Sequence, residues 1–170
     1  MERTLVILKP DAMQRGIIGE IITRFERVGL KIVASKVVSP SEEHYYHHYE
    51  TIGKMISRRG QEAFDVTIKY MQTGPVMAMV LEGVEAVSLV RKLVGTTEPK
   101  AAEPGTIRGD FSHISFEYAN SKKVSIPNLI HASDDASEAK QEIAHWFKDD
   151  EIFEYESVHD KFTLVSGSDK

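Results

Sequence analysis

The chain has 170 residues, of which 41% are hydrophobic and 28% are charged, and these proportions are ordinary for one globular domain with a buried core. Its formal net charge of -5 argues against a general nucleic-acid-binding protein, although a local basic pocket remains compatible with it. The absence of cysteine excludes disulfides, thiolate nucleophiles and cysteine-ligated zinc. No signal-peptide pattern or apolar run of membrane-spanning length is present, so a cytoplasmic location is expected.

Four apolar, β-branched runs predict β-strands, at residues 4–8, 30–38, 76–81 and 129–131. Apolar residues at helical spacing predict helices over residues 17–28, 59–71 and 84–94, and a last helix after residue 135. Ser39 is predicted to cap one more helix, with Pro40 at its first position and Glu42 completing a capping box. The loop over residues 96–110 is long for a compact domain, which is typical of a functional or disordered segment.

The resulting order is β-α-β-α-α-β-α-loop-β-α. This order is that of the ferredoxin-like, split βαβ plan, in which helices cover one face of a four-stranded antiparallel sheet. We therefore expect an α/β protein of the α+β kind, with a single domain over residues 1–165. Residues 166–170 carry no pattern and are expected to fray.

Residues 128–142 place a histidine beside a carboxylate where the fourth strand ends. Asp135 is predicted to cap the last helix, with Glu138 three residues later completing a capping box. Glu142 would then lie beside the apolar face of that helix, within reach of the His131 imidazole. Such a pair is either a structural hydrogen bond or an oriented base or nucleophile, and the local pattern alone slightly favours the structural role.

Any phosphate site in this chain must be built from side chains, because neither a Walker-type nor a Rossmann glycine motif is present. The candidate cations are Lys9 after the first strand, Arg91 on the helix after the third strand, and Arg108 in the long loop. Taken singly, each is more readily explained as a solvated surface charge. Together they could converge on His131, because the first and fourth strands of this plan can be neighbours.

Histidines also cluster on the helix after the second strand, where His44 and His48 share a face at the i, i+4 spacing of a metal site. No accompanying carboxylate motif is present, and neighbouring tyrosines favour a partly buried aromatic helix over a metal site. Single-stranded nucleic acid is disfavoured, because the first and third strands carry no aromatic residue on which a base could stack.

Taken in chain order, several sequence blocks together resemble the nucleoside diphosphate kinase family over nearly the whole chain. The blocks are Leu8-Lys9-Pro10-Asp11, His48-Tyr49, Gly74-Pro75-Val76, Gly95-Thr96-Thr97-Glu98-Pro99, residues 104–111, and Asn128-Leu129-Ile130-His131-Ala132-Ser133-Asp134. The last two blocks are highly specific.

The resemblance implies ping-pong transfer of the γ-phosphate of a nucleoside triphosphate to His131, and from there to a nucleoside diphosphate, with Glu142 holding the other ring nitrogen. It implies that Lys9 and Tyr49 contact the transferred phosphoryl group, and that Mg²⁺ bridges phosphates without a protein cage. It assigns other phosphates to Arg91, Thr97 and Arg108, and the ribose hydroxyls to Lys9 and Asn128. It also implies a homo-oligomer, with a hexamer favoured over a dimer or a tetramer.

The chain departs from the family pattern in two longer segments, over residues 50–68 and 112–127. The usual adjacent pair of aromatics in the first segment is here Ala63-Phe64, so Phe64 is the candidate residue for stacking on the base. Two alternatives stay open beside the enzyme: a catalytically silent module that binds nucleotides, and an RNA-binding sheet of the same topology. Acidic charge and missing strand aromatics disfavour the second alternative.

Overall fold

The computed structural model describes residues 1–164, except for the side chain of Thr163. Four strands form one antiparallel sheet in the order β2-β3-β1-β4, which confirms the predicted fold class. The strands are β1 (Glu2–Leu8), β2 (Lys31–Val38), β3 (Val76–Gly83) and β4 (Ile130–Ala132). The predicted fraying of residues 166–170 lies outside the described residues. Within residues 1–164, no helix has both the length and the apolarity needed to cross a membrane.

Ten α-helices connect and cover the strands over the described part of the chain. They are α1 (Pro10–Gln14), α2 (Ile18–Glu26), α3 (Glu42–Tyr46), α4 (Met55–Arg59), α5 (Gln61–Met71), α6 (Ala86–Val94), α7 (Ile107–Phe111), α8 (Phe116–Ser121), α9 (Ala136–Trp146) and α10 (Asp160–Thr163). A π-helical turn, His47–Ile52, follows α3, and short 3-10 turns lie at Pro99–Ala101 and Asp149–Glu151.

Helices cover both faces of the sheet, so the prediction of helices on one face only is wrong. Val6 and Leu8 of β1 pack with α2, α6 and α7, whereas Leu5 and Ile7 pack with α3, α5 and α9. All four side chains are fully buried. The physical reason is visible in β1 itself, because an apolar run without polar alternation can only be satisfied by two buried faces.

Two predicted helix starts have different outcomes. Asp135 Oδ1 accepts a hydrogen bond from the Glu138 amide at 2.8 Å, which confirms the predicted cap of α9. The predicted cap at Ser39 is wrong, because Ser41 caps α3 by accepting from the His44 amide at 3.2 Å. A serine follows Pro40 as well as preceding it, and the sequence alone did not distinguish the two.

Both of the longer segments contain short helices. The first contributes α4, directly after the π-helical turn. The second contributes α8, which begins where Ser115 Oγ accepts a hydrogen bond from the Tyr118 amide at 3.1 Å. Helices of five or six residues span little more than one turn and show no clear periodicity, which is why the sequence did not predict them. Of the two, α4 contributes to the wall of the site described next.

Candidate active site

The imidazole of His131 and the carboxylate of Glu142 form a direct hydrogen bond, with 2.7 Å between Nε2 and Oε1. Glu142 is only 1% exposed, and its other oxygen accepts a hydrogen bond from Ser133 Oγ at 2.5 Å. A carboxylate in this position can only accept, so we assign the imidazole proton to Nε2. His131 Nδ1 is consequently left with a free lone pair, as a nucleophile requires.

The backbone before His131 is held in an uncommon conformation. Leu129 has a φ of 72°, and the Ile130 amide bonds the Asn128 carbonyl two residues back at 2.8 Å, which closes a γ-turn. The Leu129 amide bonds Asp11 Oδ2 at 3.1 Å, and its carbonyl accepts from the Lys9 amide at 2.8 Å. These bonds offset a strain of about 1–3 kcal/mol and fix where β4 begins.

His48 and Tyr49, on the π-helical turn, pack beside His131. The His48 ring lies edge-on to the His131 ring, with 4.6 Å between their centroids. Its Nδ1 accepts from Trp146 Nε1 at 3.2 Å, and burial holds its pKa well below the ordinary value, so it is neutral. Burial also raises the pKa of Tyr49, whose hydroxyl has no hydrogen-bond partner within residues 1–164. The packing role predicted for His48 therefore has a specific partner, His131.

Lys9 faces the site from the position after β1, and Asn128 faces it from the chain before β4. Lys9 Nζ donates to Asn128 Oδ1 at 2.8 Å, and Asn128 Nδ2 donates to the Thr97 carbonyl at 2.9 Å. Burial, and then the charge of Arg108, lower the pKa of Lys9 to about 7. An ammonium that loses its proton this easily is one that an anionic ligand would stabilise.

Arg108 is built into the fold as well as into the site. The side chain is buried, and it donates from three nitrogens to the carbonyls of Asn128, Gly95 and Ile130 at 3.2, 3.0 and 2.6 Å. Burial, followed by the charges of Arg91 and Arg59, lowers its pKa to about 10. A guanidinium has five N–H groups. Arg108 therefore fastens the backbone that leads into His131 and still has hydrogens for an anion.

Asp134 lies between two arginines on one side of the site. It accepts hydrogen bonds from Arg91 and, at 3.1 Å, from Arg58. Burial alone would raise the pKa of Asp134, but the hydrogen bond from Arg58 and the charge of Arg91 outweigh it and leave the pKa low. The Asp134 carboxylate is therefore a counter-ion for these two cations, and the Asp134 amide donates to Glu138 Oε2 at 2.9 Å at the start of α9.

The site residues line one cleft, to which the sheet, the π-helical turn, α4, α6 and α7 all contribute. Its polar lining includes Lys9, His48, Tyr49, Arg58, Arg59, Arg91, Thr97, Arg108, Asn128, His131 and Glu142. Phe64 is not part of this lining. It is 7% exposed and packs edge-on against Tyr46 in the core below α5, so its position does not support the predicted stacking on a base.

Comparison with known proteins gives a consistent result. The family model for nucleoside diphosphate kinase matches residues 2–152. A nucleoside diphosphate kinase from Borreliella burgdorferi is 48% identical over 155 residues, covering 91% of this chain and 92% of the relative. The solved transition-state mimic of the Borrelia burgdorferi enzyme, with bound vanadate and ADP, superposes with a TM-score of 0.90 at 48% identity over 94% of both chains. A Pyrobaculum aerophilum NDP kinase gives 0.82 at 41% identity, over 90% and 99% of the two chains.

The chain belongs to the nucleoside diphosphate kinase family. The predicted enzyme class, a phosphotransferase of this family, is thereby confirmed, and ping-pong transfer is the course general to its members. Within this nucleoside diphosphate kinase, sequence reasoning missed three residues of the site: Ser133, Arg58 and Arg59. Ser133 lies in the sequence block around His131, but only the fold shows that it bonds Glu142. Both arginines lie on α4, of which the sequence predicted only the last residue, Arg59, as the start of the helix over residues 59–71.

Proposed function

We propose that this chain transfers the γ-phosphate of a nucleoside triphosphate to a nucleoside diphosphate by way of phosphorylated His131. The observation that carries the proposal is the 2.7 Å bond between His131 Nε2 and Glu142 Oε1, which leaves Nδ1 free at the wall of a cationic cleft. Phosphoryl transfer asks a protein mainly for in-line positioning and for neutralisation of charge. Orientation of this kind can supply roughly 7–11 kcal/mol of the barrier.

In the first half-reaction the Nδ1 lone pair of His131 attacks the γ-phosphorus. The Nδ1–P bond forms, the bond from that phosphorus to the β,γ-bridging oxygen breaks, and the nucleoside diphosphate leaves with the bonding electrons. The proton stays on Nε2, where Glu142 stabilises the positive charge that develops on the ring. The second half-reaction reverses these steps, with a terminal oxygen of the acceptor diphosphate attacking the phosphohistidine.

The other site residues are assigned to different parts of the nucleotide according to their positions in the cleft. Lys9 and Tyr49 are proposed to contact the transferred phosphoryl group, since both flank His131 and have polar atoms suited to an anion. The remaining phosphates are assigned to Arg91, Thr97 and Arg108, and the ribose hydroxyls to Lys9 and Asn128. Arg91 gives one nitrogen to Asp134, so Asp134 holds this guanidinium in place while its other N–H groups stay available for phosphate.

Mg²⁺ is proposed to enter with the nucleotide. The carboxylates nearest the cleft are already engaged, Glu142 by His131 and Ser133 and Asp134 by Arg58 and Arg91. The lining therefore fits an ion that keeps its waters and is held by phosphate oxygens, which is the usual preference of Mg²⁺. Bound with the nucleotide, the ion would neutralise part of the negative charge of the phosphates during transfer.

Labelling with radioactive ATP and Mg²⁺ tests the proposal. The wild-type chain is expected to form an acid-labile, alkali-stable phosphoprotein that loses its label on addition of unlabelled nucleoside diphosphate. His131→Ala should take up no label, and Glu142→Gln should label at least 100-fold more slowly, because a neutral amide supports the developing imidazolium less well. Failure of the wild type to label would favour the silent nucleotide-binding module, and label retained in His131→Ala would place the nucleophile elsewhere.

We also propose the assembly that the family resemblance implies and the location expected from the sequence. The chain is expected to form a homo-oligomer, with a hexamer ahead of a dimer or a tetramer, and to act in the cytoplasm. Support for assembly comes from Val28, Val37 and Val84, which are 43%, 58% and 59% exposed in the single chain. Contact between subunits would remove such side chains from water.

A further inference from the structure

We infer that carbon dioxide reacts reversibly with the amine of Lys9 and forms a carbamate in the catalytic cleft when no nucleotide is bound. A carbamate forms where an uncharged amine lies beside groups that stabilise the new negative charge. Lys9 meets both conditions, as the next paragraphs show from its partners and its neighbours. The inference goes beyond phosphoryl transfer, because it uses Lys9 as a nucleophile of its own.

The hydrogen-bond partner of Lys9 does not require a charged amine. In the described part of the chain, Lys9 Nζ donates to Asn128 Oδ1 at 2.8 Å and forms no ion pair with a carboxylate. Lys31 is the contrasting case, because its Nζ lies 2.9 Å from Glu82 Oε1 and 3.6 Å from Asp160 Oδ2. Both lysines are partly buried, so the charges around them are what distinguish them.

The charged neighbours of Lys9 are mostly cations. Burial, and then the charges of Arg108 on α7 and Arg59 on α4, lower the pKa of Lys9 to about 7, and the opposing charge of Asp11 does not restore it. The neighbouring His48 is itself neutral. About half of the Lys9 amine is therefore uncharged near pH 7, whereas an ordinary lysine is uncharged to roughly 0.1%.

The same cations would stabilise the product. A carbamate carries one negative charge on two oxygens, which suits the paired N–H groups of a guanidinium. Arg59 lines the cleft, and no hydrogen bond or ion pair connects it to another of the described residues. An anion on Lys9 would also remove the repulsion between Lys9 and these arginines. The cleft has a volume of about 150 Å³, against roughly 30 Å³ for one water molecule, so three added atoms fit.

The reaction balances without a further co-reactant. The lone pair of uncharged Lys9 Nζ attacks the carbon of CO₂, a C–N bond forms, and the electron pair of one C=O bond moves to its oxygen. One Nζ proton is lost to water, which leaves a carbamate N–H and two oxygens that share the charge. The remaining N–H can still donate to Asn128 Oδ1, so the bond that positions Lys9 is kept.

Carbamate formation would change how the cleft receives nucleotides. The Lys9 position would become negative, and it would repel the phosphates that the other cations attract. CO₂ and nucleotide are therefore expected to compete, with bound nucleotide protecting Lys9 and CO₂ weakening nucleotide binding.

The test traps the carbamate in the wild-type chain. Protein equilibrated with ¹³C-labelled CO₂ at pH 7.5 is treated with triethyloxonium, which ethylates carbamates, and its peptides are analysed by mass spectrometry. Lys9 should carry the labelled ethoxycarbonyl group in a yield at least about tenfold above those of Lys31 and the exposed Lys69. Lys31 is the matched control, because its hydrogen bond to Glu82 raises its pKa. All three lysines share one CO₂ concentration, so the yield ratio reports only on the amines.

Arg59→Gln measures the part played by the neighbouring charge. The variant keeps a side chain with N–H donors and removes the cation, so the Lys9 yield should fall about fivefold. Arg27→Gln is its control, because Arg27 is exposed and is not among the residues that line the cleft. Arg27→Gln should give the wild-type yield. ADP with Mg²⁺, at a concentration that calorimetry shows to be saturating, should abolish the Lys9 adduct.

Three outcomes would overturn the inference. They are equal yields at Lys9 and Lys69, a Lys9 yield that saturating ADP does not reduce, and weakening of ADP binding by CO₂ without an adduct at Lys9. In the last case bicarbonate would be competing as a simple anion. Phosphorylation of His131 is measured separately, so a Lys9 adduct in a chain that never labels with ATP refutes only the proposed function.

Discussion

At the residue scale, the Nε2 proton of His131 is bound by Glu142, and a second hydrogen bond fixes Glu142 in turn. Glu142 has one oxygen on the imidazole and the other on Ser133, whose hydroxyl also lies 3.2 Å from the Leu5 amide of β1. Rotation of the Glu142 carboxylate would break both of its bonds. Each bond therefore restricts the other, and the imidazole keeps one orientation and one tautomer through both half-reactions.

Lys9 gives a pH-dependent prediction at the same scale. Its pKa near 7 in the free site lies below the ordinary 10.5, and bound phosphate should raise it again. At a pH between 7 and the raised pKa, ADP binding should take up close to one proton. The ADP affinity should therefore fall as the pH rises through 7. Folding has the opposite pH dependence. Between pH 7 and 10.5 Lys9 is protonated in the unfolded chain but not in the folded chain, so the free energy of unfolding rises with pH over this range.

Calorimetry of ADP binding at pH 8, in two buffers with different ionisation enthalpies, measures the proton uptake directly. Lys9→Met keeps a side chain of similar length, so it is expected to abolish the uptake. Equal binding enthalpies in both buffers for the wild type would contradict the prediction.

At the element scale, α3 and the π-helical turn pack on α9 through histidines. The rings of His44 and His145 are stacked, with 3.8 Å between their centroids, and His47 lies 4.4 Å from His145. His44 thus pairs with His145 of α9. Burial, followed by the charge of His145, lowers the pKa of His44 to about 4.

This contact should make the protein sensitive to acid. The unfolded chain protonates His44 near its ordinary pKa of 6.5, whereas the folded chain resists until about pH 4. The corresponding stability is fully present above pH 6.5 and is lost as the pH falls from 6.5 to 4. His44→Phe keeps a ring on His145 without a titrating group, so its urea midpoint should fall less between pH 7 and pH 5. Substitution of the exposed His113 by Phe is the control and should preserve the wild-type fall.

Site residues could be predicted where their positions follow from local sequence patterns, but not where those positions depend on tertiary packing. The strands and longer helices follow from apolar runs and spacing, and the sheet order then brings Lys9 beside the start of β4. Arg58 and Arg59 could not be placed, because the direction of α4 depends on its packing and not on its own five residues. Phe64 was misassigned for a related reason: the sequence shows an aromatic on α5, but only the packed structure shows which way that face turns.

At the scale of the whole molecule, apolar side chains are exposed on the surface of the single chain, and this exposure predicts assembly. Light scattering of purified protein should give about 115 kDa, six times the 19.1 kDa of one chain. A mass near 38 or 76 kDa would indicate the alternative dimer or tetramer. A mass of about 19 kDa that does not depend on protein concentration would contradict assembly altogether.

The contact between Trp146 and His48 has a practical consequence for following the reaction. The chain contains one tryptophan, so all indole emission comes from a ring that is bonded to His48, which in turn packs edge-on against His131. A phosphoryl group on His131 would place negative charge on a side chain that is separated from this fluorophore only by His48. The protein thus contains an intrinsic optical probe of its own phosphorylation, and rapid-mixing fluorescence can time each half-reaction without a labelled nucleotide.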